Sequence, residues 1–506
     1  MALLTADIGR QIGLLIDRQG RPAMVLVGTP SSILIPELTR YRQKTGRLLG
    51  MRFLHTHLKD EVLSQEDLMD LVFLRLDSIG LLSCDHVGMP AFFTWAHLLP
   101  PNAENLPYRI HPPTPWDRIR VDHLRQIQAL EEELARTEES GRRTAENRAI
   151  LVSVGTEPKN FQERSLDELA ELCRTAGLTV ADRLIQRVAR VNPKHILGKG
   201  KLADLEVLSL QHNASILVFQ GELSPTQMRN LAEITERKVL DRTQLILDIF
   251  AQHAVSRAGK LQVEMAQLQY TLPRLVGQNR ALSRLAGGIG GRGPGETKLE
   301  LDRRKIRNRM AHIRRELDRI RKHRSATRAR RAKVGLPIVS LVGYTNAGKS
   351  TLLNVLSDSE IPAEDKLFAT LDPTSRRVRF PEDQEIIITD TVGFIRELPE
   401  ELREAFMATL EELGSADLLV QVADAGHPEL EDQVAAVDSI LQDLDLGKTP
   451  RILALNKWDR LDAEQQILVG NVFPQGIPIS ALHRDNLKPL VQKIQSRLPL
   501  AYSVAG

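Results

Sequence analysis

The chain contains the stretch Ile338-Val-Ser-Leu-Val-Gly-Tyr-Thr-Asn-Ala-Gly-Lys-Ser350, in which an apolar run leads directly into a glycine-containing loop. Residues 343–350 match the pattern G-x-x-x-x-G-K-[ST] without a mismatch. The apolar residues 338–342 predict a strand and residues 351–356 a helix, so the loop lies on a strand-to-helix turn. Backbone N–H groups and the helix N-terminus bind phosphate at such a turn. The stretch therefore favours a phosphate-binding α/β domain over a tight glycine turn in another α/β protein.

The residue types in this loop have separate chemical roles. Gly343 and Gly348 let the backbone approach phosphate closely. Lys349 reaches the β- and γ-phosphates, and the Ser350 hydroxyl binds Mg²⁺. The predicted phosphate-binding residues are Gly343, Tyr344, Thr345, Asn346, Ala347, Gly348, Lys349, Ser350 and Thr351.

Three further segments follow the loop in fixed order, and together they indicate a guanine nucleotide. Asp390 ends a predicted strand at 385–389, where a second Mg²⁺-linked carboxylate belongs, and the Gly393 N–H can contact the γ-phosphate. Asp459 follows a predicted strand at 452–455, and its carboxylate can accept from both N1–H and the N2 amine of guanine. Adenine lacks that donor pair, so the segment favours GTP over ATP. The alternative interpretation of residues 456–459 is a helix cap after a strand. The additional GTP-binding residues are Asp390, Thr391, Val392, Gly393, Asn456, Lys457, Trp458, Asp459, Ser480, Ala481 and Leu482.

Phe394 occupies the position directly after the glycine of the D-x-x-G segment. Ras-like enzymes place a glutamine there, and it orients the attacking water. A phenyl ring cannot orient water. The sequence therefore predicts either catalysis by groups elsewhere or a slow site that a partner completes.

Outside these motifs the chain resembles the HflX family, translational GTPases of the Obg–HflX group, from about residue 150 to about residue 497. Four long runs carry this resemblance, and they are specific to that family. They read ILGKGK (196–201), ELSPTQMRN (222–230), DRTQLILDIFAQ (241–252) and GGIGGRGPGETK (287–298).

The resemblance implies GTP hydrolysis coupled to the large ribosomal subunit and its rRNA, with ribosome dissociation or rescue of stalled ribosomes under stress as the role. It implies a switch I segment at Phe368, Ala369, Thr370, Leu371 and Asp372. Thr370 would be the switch ligand of Mg²⁺, and Thr374 is the alternative that spacing leaves open. The implied catalytic residues are Lys349, Thr370 and Gly393; the implied magnesium ligands are Ser350, Thr370 and, through water, Asp390.

The composition of the chain limits its class. Its 506 residues are enough for two to four domains, and the net charge of +3 says little about partners. Cys84 and Cys173 lie far apart, which excludes a disulfide framework or a cysteine-based metal site and suits a reducing cytosol. Without a signal peptide or an apolar run of membrane-spanning length, we expect a cytoplasmic monomer, with peripheral attachment to a membrane left open.

The pattern of apolar and turn-forming residues divides the chain into five parts. We expect an α/β extension at 1–99, a proline-rich linker and helix at 100–148, an HflX-type α/β domain at 149–275, a glycine-rich loop and basic helical arm at 276–335, and a doubly wound, mainly parallel P-loop GTPase domain at 336–506.

Within the first three parts, periodicity predicts individual elements. The extension should contain a hairpin at 13–16 and 24–27, helices at 36–45 and 63–82, and a strand at 51–55. The linker at 100–115 should precede an amphipathic helix at 119–134. The next part should have strands at 151–154, 184–191, 216–219 and 239–240 in a parallel sheet, helices at 166–176, 202–211 and 225–235, and one long helical region at 243–269.

Residues 298–333 form the most basic tract of the chain, with sixteen lysines and arginines. Ile306, Met310, Ile313, Leu317 and Ile320 form one apolar seam along the predicted helix. A run of charged residues such as this one usually forms a helix face that is exposed to solvent. Because the excess is almost single-signed and follows a glycine-rich loop, we predict phosphate contact with RNA. The predicted RNA-binding residues are Arg314, Arg315, Arg319 and Arg321.

The run His55-Thr-His57 followed by Ser64-x-x-Asp67 resembles the zinc signature of JAB/MPN-type metalloproteins. Leu58 replaces the usual proline, and the spacing is one residue shorter. We therefore expect a degenerate, metal-free copy of that fold. Elsewhere, the glycines and lysines of residues 198–201 are expected to form a solvated turn, with rRNA or a second nucleotide as open alternatives.

Two rival functions are compatible with parts of this pattern. The first is an RNA-binding scaffold for ribosome assembly whose nucleotide is mainly structural, but the intact Lys349, Ser350 and Asp390 argue against it. The second is a tRNA-modifying GTPase, for which the chain shows no suitable cysteine or cofactor motif.

Overall fold

The computed structural model describes most of the chain, in two compact units at Met1–Arg242 and Thr243–Gly506. The described residues are 1–36, 48–58, 62–85, 88–100, 102, 106–145, 147–194, 196–235, 237–275, 298–332, 336–357, 368, 374–380, 385–391, 393–395 and 413–498. Several predicted features lie outside the described residues: the helix at 36–45 except for its first residue, the glycine-rich loop, Val392, and the switch I residues other than Phe368.

The first unit begins with a six-stranded sheet in the order β2-β1-β3-β4-β5-β6. Its core contains Leu15, Phe53 and Ile79, and α3 packs Ile127 and Leu130 against it. The strands are β1 (Ile12–Asp17), β2 (Pro22–Val27), β3 (Met51–His57), β4 (Ser78–Cys84), β5 (Pro90–Leu98) and β6 (Tyr108–Pro115), and the helices are α1 (Ala2–Ile8), α2 (Gln65–Phe73) and α3 (His123–Ala145).

Two predictions for this region were wrong. The expected helix at 63–82 is the shorter α2 followed by β4, and Arg75 with a φ of 48° lies in the turn between them. Because β4 is buried on both faces, its apolar residues run continuously and do not distinguish a strand from a helix. The expected linker at 100–115 contains β6, an edge strand paired with β5, where proline is tolerated.

A second sheet in the same unit has four parallel strands in the order β10-β9-β7-β8, as the alternating pattern predicted. Its strands are β7 (Arg148–Gly155), β8 (Thr179–Arg187), β9 (Ile216–Phe219) and β10 (Lys238–Asp241), with helices α4 (Lys159–Thr175), α5 (Lys199–Gln211) and α6 (Pro225–Thr235). The prediction of a strand at 184–191 was displaced, because β8 is a largely polar edge strand whose apolar pattern is weak.

Between the second sheet and the nucleotide-binding domain, the described residues form the helices α7 (Arg242–His253), α8 (Arg257–Arg274) and α9 (Lys298–Ala332). The single helical region expected at 243–269 is thus two helices, because Ser256 caps α8 by accepting a hydrogen bond from the Gly259 N–H. The predicted apolar seam of α9 is confirmed: Met310 and Ile313 pack against Leu261 and Met265 of α8.

The third sheet has six strands in the order β12-β13-β11-β14-β15-β16, all parallel except β12. The strands are β11 (Ile338–Gly343), β12 (Thr374–Arg379), β13 (Glu385–Asp390), β14 (Leu418–Asp424), β15 (Arg451–Asn456) and β16 (Ile477–Pro478), and the helices are α10 (Lys349–Ser357), α11 (Leu430–Asp443), α12 (Ala463–Val472) and α13 (Lys488–Arg497). Strands β12 and β13 lie on one side of β11 and β14, β15 and β16 on the other, so the sheet is doubly wound as predicted. Ligands bind such sheets where the strand order reverses, at the carboxyl ends of the strands.

Candidate nucleotide-binding site

The glycine-containing loop follows the carboxyl end of β11 and leads directly into α10. A side chain on Gly343, at a φ of 151°, would overlap the Val422 carbonyl of β14. A side chain on Gly348, at a φ of 91°, would overlap the Asn456 amide. Both glycines are therefore required by close contacts with neighbouring strand ends, and the N-terminus of α10 lies where phosphate is expected to bind.

Lys349 lies beneath this loop and is 6% exposed. Its Nζ donates hydrogen bonds to the Gly343 carbonyl at 3.0 Å and the Tyr344 carbonyl at 2.7 Å. Burial lowers the pKa of Lys349 to about 8, although the Asp390 carboxylate opposes the shift. A buried cation held this way is oriented before a phosphate arrives.

The two predicted magnesium ligands on β13 and α10 meet in the structure. The Ser350 hydroxyl donates to Asp390 Oδ2 at 2.7 Å, and the Thr391 N–H donates to Asp390 Oδ1 at 2.9 Å. A hydroxyl and a carboxylate are hard oxygen donors of the kind that Mg²⁺ prefers, so this pair fits the ion that the motif implies. Thr374 lies opposite Asp390 in the β12–β13 pair, and Thr370 lies outside the described residues, so the choice between them stays open.

Asn456 joins three of the predicted segments through one buried side chain. Its Nδ2 donates to the Ala347 carbonyl at 2.8 Å, and its Oδ1 accepts from the Ala481 N–H at 2.9 Å. The Ser480–Leu482 segment, weak as a sequence motif, is thereby placed beside the phosphate loop.

The expected base-binding carboxylate lies beside this junction. Asp459 belongs to the short turn Trp458–Arg460, and interaction with the Ser480 hydroxyl lowers its pKa, so it is ionised at neutral pH. Lys457 has a φ of 59°, and its Nζ lies 2.7 Å from Asp424 Oδ2. Sequence reasoning missed Asp424, although its place directly after the mostly apolar run 418–423 was an available signal. In the structure it pairs in register with Asn456.

Phe394 and Phe368 are both buried side chains in this domain. Phe394 is 3% exposed and packs with Leu419 and Val437, while its backbone N–H donates to the Gly343 carbonyl at 3.0 Å. Phe394 is therefore a core residue that fixes the segment after Gly393 against the phosphate loop. Phe368 is 2% exposed, and its ring lies 4.5 Å from that of Phe250 on α7, a contact that the sequence did not reveal.

Comparison with known proteins identifies the family. The model of the 50S ribosome-binding GTPase matches residues 338–457, and models of the N-terminal and middle regions of a GTP-binding GTPase match 163–251 and 253–331. The GTPase HflX of Caldanaerobacter subterraneus subsp. tengcongensis is 48% identical over 367 residues, covering 72% of this chain and 82% of that protein. The chain belongs to the HflX family of GTPases.

A further HflX relative is consistent with this membership. HflX of Lacrimispora saccharolytica is 49% identical, covering 70% of this chain and 83% of that protein. A solved GTP-binding protein of Sulfolobus solfataricus in complex with GDP is 25% identical, and the match covers 69% of this chain and 98% of that one. The TM-score of that match is 0.39. As an HflX GTPase, the chain binds and hydrolyses GTP. Among the described residues, no helix is long and apolar enough to cross a bilayer.

Proposed function

We propose that this HflX chain is a Mg²⁺-dependent GTP switch that binds the large ribosomal subunit through its basic arm. The observation that carries the proposal is the junction of Ser350, Asp390 and Lys349 at the phosphate end of a doubly wound sheet. The bound cation would neutralise charge on the β- and γ-phosphates. The GTP-binding set is the one predicted from the sequence, with Asp459 selecting guanine.

The proposed catalytic groups act by position and charge. Lys349 is held by two loop carbonyls, so it would exchange these contacts for phosphate oxygens without a large movement. Gly393 lies against Thr345 and the Lys349 ammonium with no space for a side chain. Its N–H is thus suited to contact the γ-phosphate, and Thr370 would complete the arrangement when switch I closes.

The positive charge on α9 indicates the partner. The apolar seam of α9 packs against α8, and the other side of the helix faces solvent. The exposed residues on that side include Arg314, Arg315, Arg319 and Arg321. Ion pairs between Arg309 and Glu264, at 2.6 Å, and between Arg257 and Glu316, at 2.8 Å, brace the two helices. A braced helix with an exposed cationic face suits the phosphates of rRNA. We infer a cytoplasmic monomer that dissociates or rescues stalled ribosomes under stress.

The test is co-sedimentation of the full chain with purified ribosomal subunits in GTP, GDP or a non-hydrolysable analogue. The proposal predicts tighter binding to the large subunit with the analogue than with GDP. Equal binding in all three states would favour the rival function, an RNA-binding assembly scaffold whose nucleotide is structural. Binding to the small subunit alone would refute the proposed partner.

A further inference from the structure

The side chains of His55 and His57 on β3 and of Asp67 on α2 converge beside the six-stranded sheet. His55 Nε2 lies 3.2 Å from His57 Nε2 and 3.1 Å from Asp67 Oδ1, and His57 Nε2 lies 3.7 Å from Asp67 Oδ2. The histidines are two residues apart on a strand, so their side chains leave the same face. The first turn of α2 supplies the carboxylate to that face.

These separations fit a small cation. Four donors placed tetrahedrally at the usual Zn–N and Zn–O lengths of about 2.0–2.1 Å are about 3.3 Å apart. The His55–His57 pair and the His55–Asp67 Oδ1 pair are within about 0.2 Å of this spacing, and His57 Nε2 lies 3.7 Å from the other carboxylate oxygen, Oδ2. His55 is 1% exposed and His57 4%, whereas the Asp67 side chain is 15% exposed, so the cluster is largely dehydrated yet reachable from one side.

The surroundings hold the donors in place. Ser64 caps α2, and its backbone N–H and its hydroxyl donate to Asp67 Oδ2 at 2.8 Å and 2.7 Å. This leaves Oδ1 as the oxygen nearest to His55. The Phe53 ring stacks on the His55 imidazole with centroids 5.1 Å apart. Outer contacts of this kind orient metal ligands and increase their affinity.

We propose that His55, His57 and Asp67 bind one Zn²⁺ ion through the two Nε2 atoms and Asp67 Oδ1, with water completing the coordination. Two imidazoles and one carboxylate suit zinc, whereas Mg²⁺ and Ca²⁺ prefer oxygen donors throughout. Within the described ranges, these residues are the one group of three histidine, cysteine or acidic side chains that converges in this way. The rival interpretation is a hydrogen-bonded trio that has no metal.

The first test is zinc binding by the full chain, measured by competition with a chromophoric chelator in excess Mg²⁺, which occupies the nucleotide site. We expect one Zn²⁺ per chain, and at least about a tenfold loss of affinity in Asp67→Asn and His57→Gln. The matched control is His97→Gln, because His97 Nδ1 pairs with His111 Nε2 at 3.1 Å in the same sheet without a carboxylate in the pair. This control should retain full zinc affinity.

A second readout covers variants that fail to fold. Co²⁺ added to the unchanged chain should give visible absorption bands of a low-coordinate site, and Zn²⁺ should displace them. Ser64→Ala should weaken zinc binding about 10- to 100-fold, and Ser64→Thr should restore it. Less than one Zn²⁺ per unchanged chain, zinc binding that Asp67→Asn retains in a folded state, or an equal loss in His97→Gln would each overturn the proposal.

Discussion

The phosphate end of the nucleotide site and the cationic face of α9 both carry positive charge, but in opposite surroundings. Lys349 is buried, donates to two carbonyls and lies near the Asp390 carboxylate. Arg314 and Arg319 are exposed on a helix that packs through its other side. Charge interactions are strong where water is excluded and screened at the surface. We therefore expect the buried charge to act through single residues, and the exposed charges to act through their sum.

The largest effect should come from the buried charge. Lys349→Ala removes the ammonium held beneath the loop, and GTP hydrolysis should fall by at least about a thousandfold, with or without ribosomes. Single-turnover hydrolysis measures this loss. Arg314→Ala is the exposed counterpart and should leave hydrolysis by the chain alone unchanged. Equal losses in the two variants would contradict the comparison.

At the base end, Asp459→Asn should lower GTP affinity by about 2–4 kcal/mol, roughly 30- to 1000-fold, because charged hydrogen bonds to guanine are left unmade. Xanthosine triphosphate, which has an acceptor in place of the amine, should bind the variant better than it binds the unchanged chain. Asp462→Asn is the control, since Asp462 only caps α12 and asparagine is also a good cap. Unchanged GTP affinity in Asp459→Asn would show that Asp459 does not bind the guanine base.

On the arm, replacing Arg314, Arg315, Arg319 and Arg321 together with glutamine should weaken large-subunit binding at least about tenfold near 0.1 M salt. The slope of log affinity against log salt should fall by about 0.7–0.9 for each arginine–phosphate ion pair that the substitutions remove. Arg309→Gln is the matched control, because Arg309 is engaged with Glu264. A slope that stays the same in the fourfold variant would mean that the arm is only a solvated helix.

A smaller effect concerns protons. With its pKa lowered to about 8, Lys349 is about half protonated at pH 8 before nucleotide binds. The negative phosphates favour the protonated form of Lys349. Nucleotide binding should therefore be accompanied by the uptake of about half a proton at pH 8 and almost none at pH 6.5. Calorimetry in buffers of different ionisation enthalpy measures this uptake. Lys349→Arg, always protonated, should show none; buffer-independent heats at pH 8 for the unchanged chain would contradict the shift.

The sequence predicted the parts of the molecule whose signals are local. The strand–loop–helix turn at Gly343, the parallel sheet around β9 and the seam of α9 each follow from short-range periodicity or motif. The role of Asn456 could not be predicted, because its contacts with Ala347 and Ala481 join residues that are distant along the chain.

Other features depended on packing that periodicity does not record. Burial on both faces made β4 resemble a helix, and the edge position of β6 allowed prolines that indicated a linker. The shortened spacing after His57 favoured a metal-free fold, yet the first turn of α2 brings Asp67 to both histidines. The contact of Phe368 with Phe250 is likewise tertiary.

Phe394 provides a control for the catalytic argument. Because its ring belongs to the core, Phe394→Ala should destabilise the domain by about 3–5 kcal/mol, and Phe394→Leu is the better variant. If the residue takes no part in chemistry, the hydrolysis rate of folded Phe394→Leu stays within a few-fold of the unchanged chain.

The most direct test of the account is single-turnover GTP hydrolysis by the full chain, with and without purified large ribosomal subunits. Since the phenyl ring of Phe394 cannot orient water, GTP hydrolysis by the chain alone should be slow, on the order of 10⁻⁴–10⁻² s⁻¹. Large subunits should raise the rate about a hundredfold or more by ordering the switch segments around the γ-phosphate. A fast rate that large subunits leave unchanged would contradict a site completed by its partner.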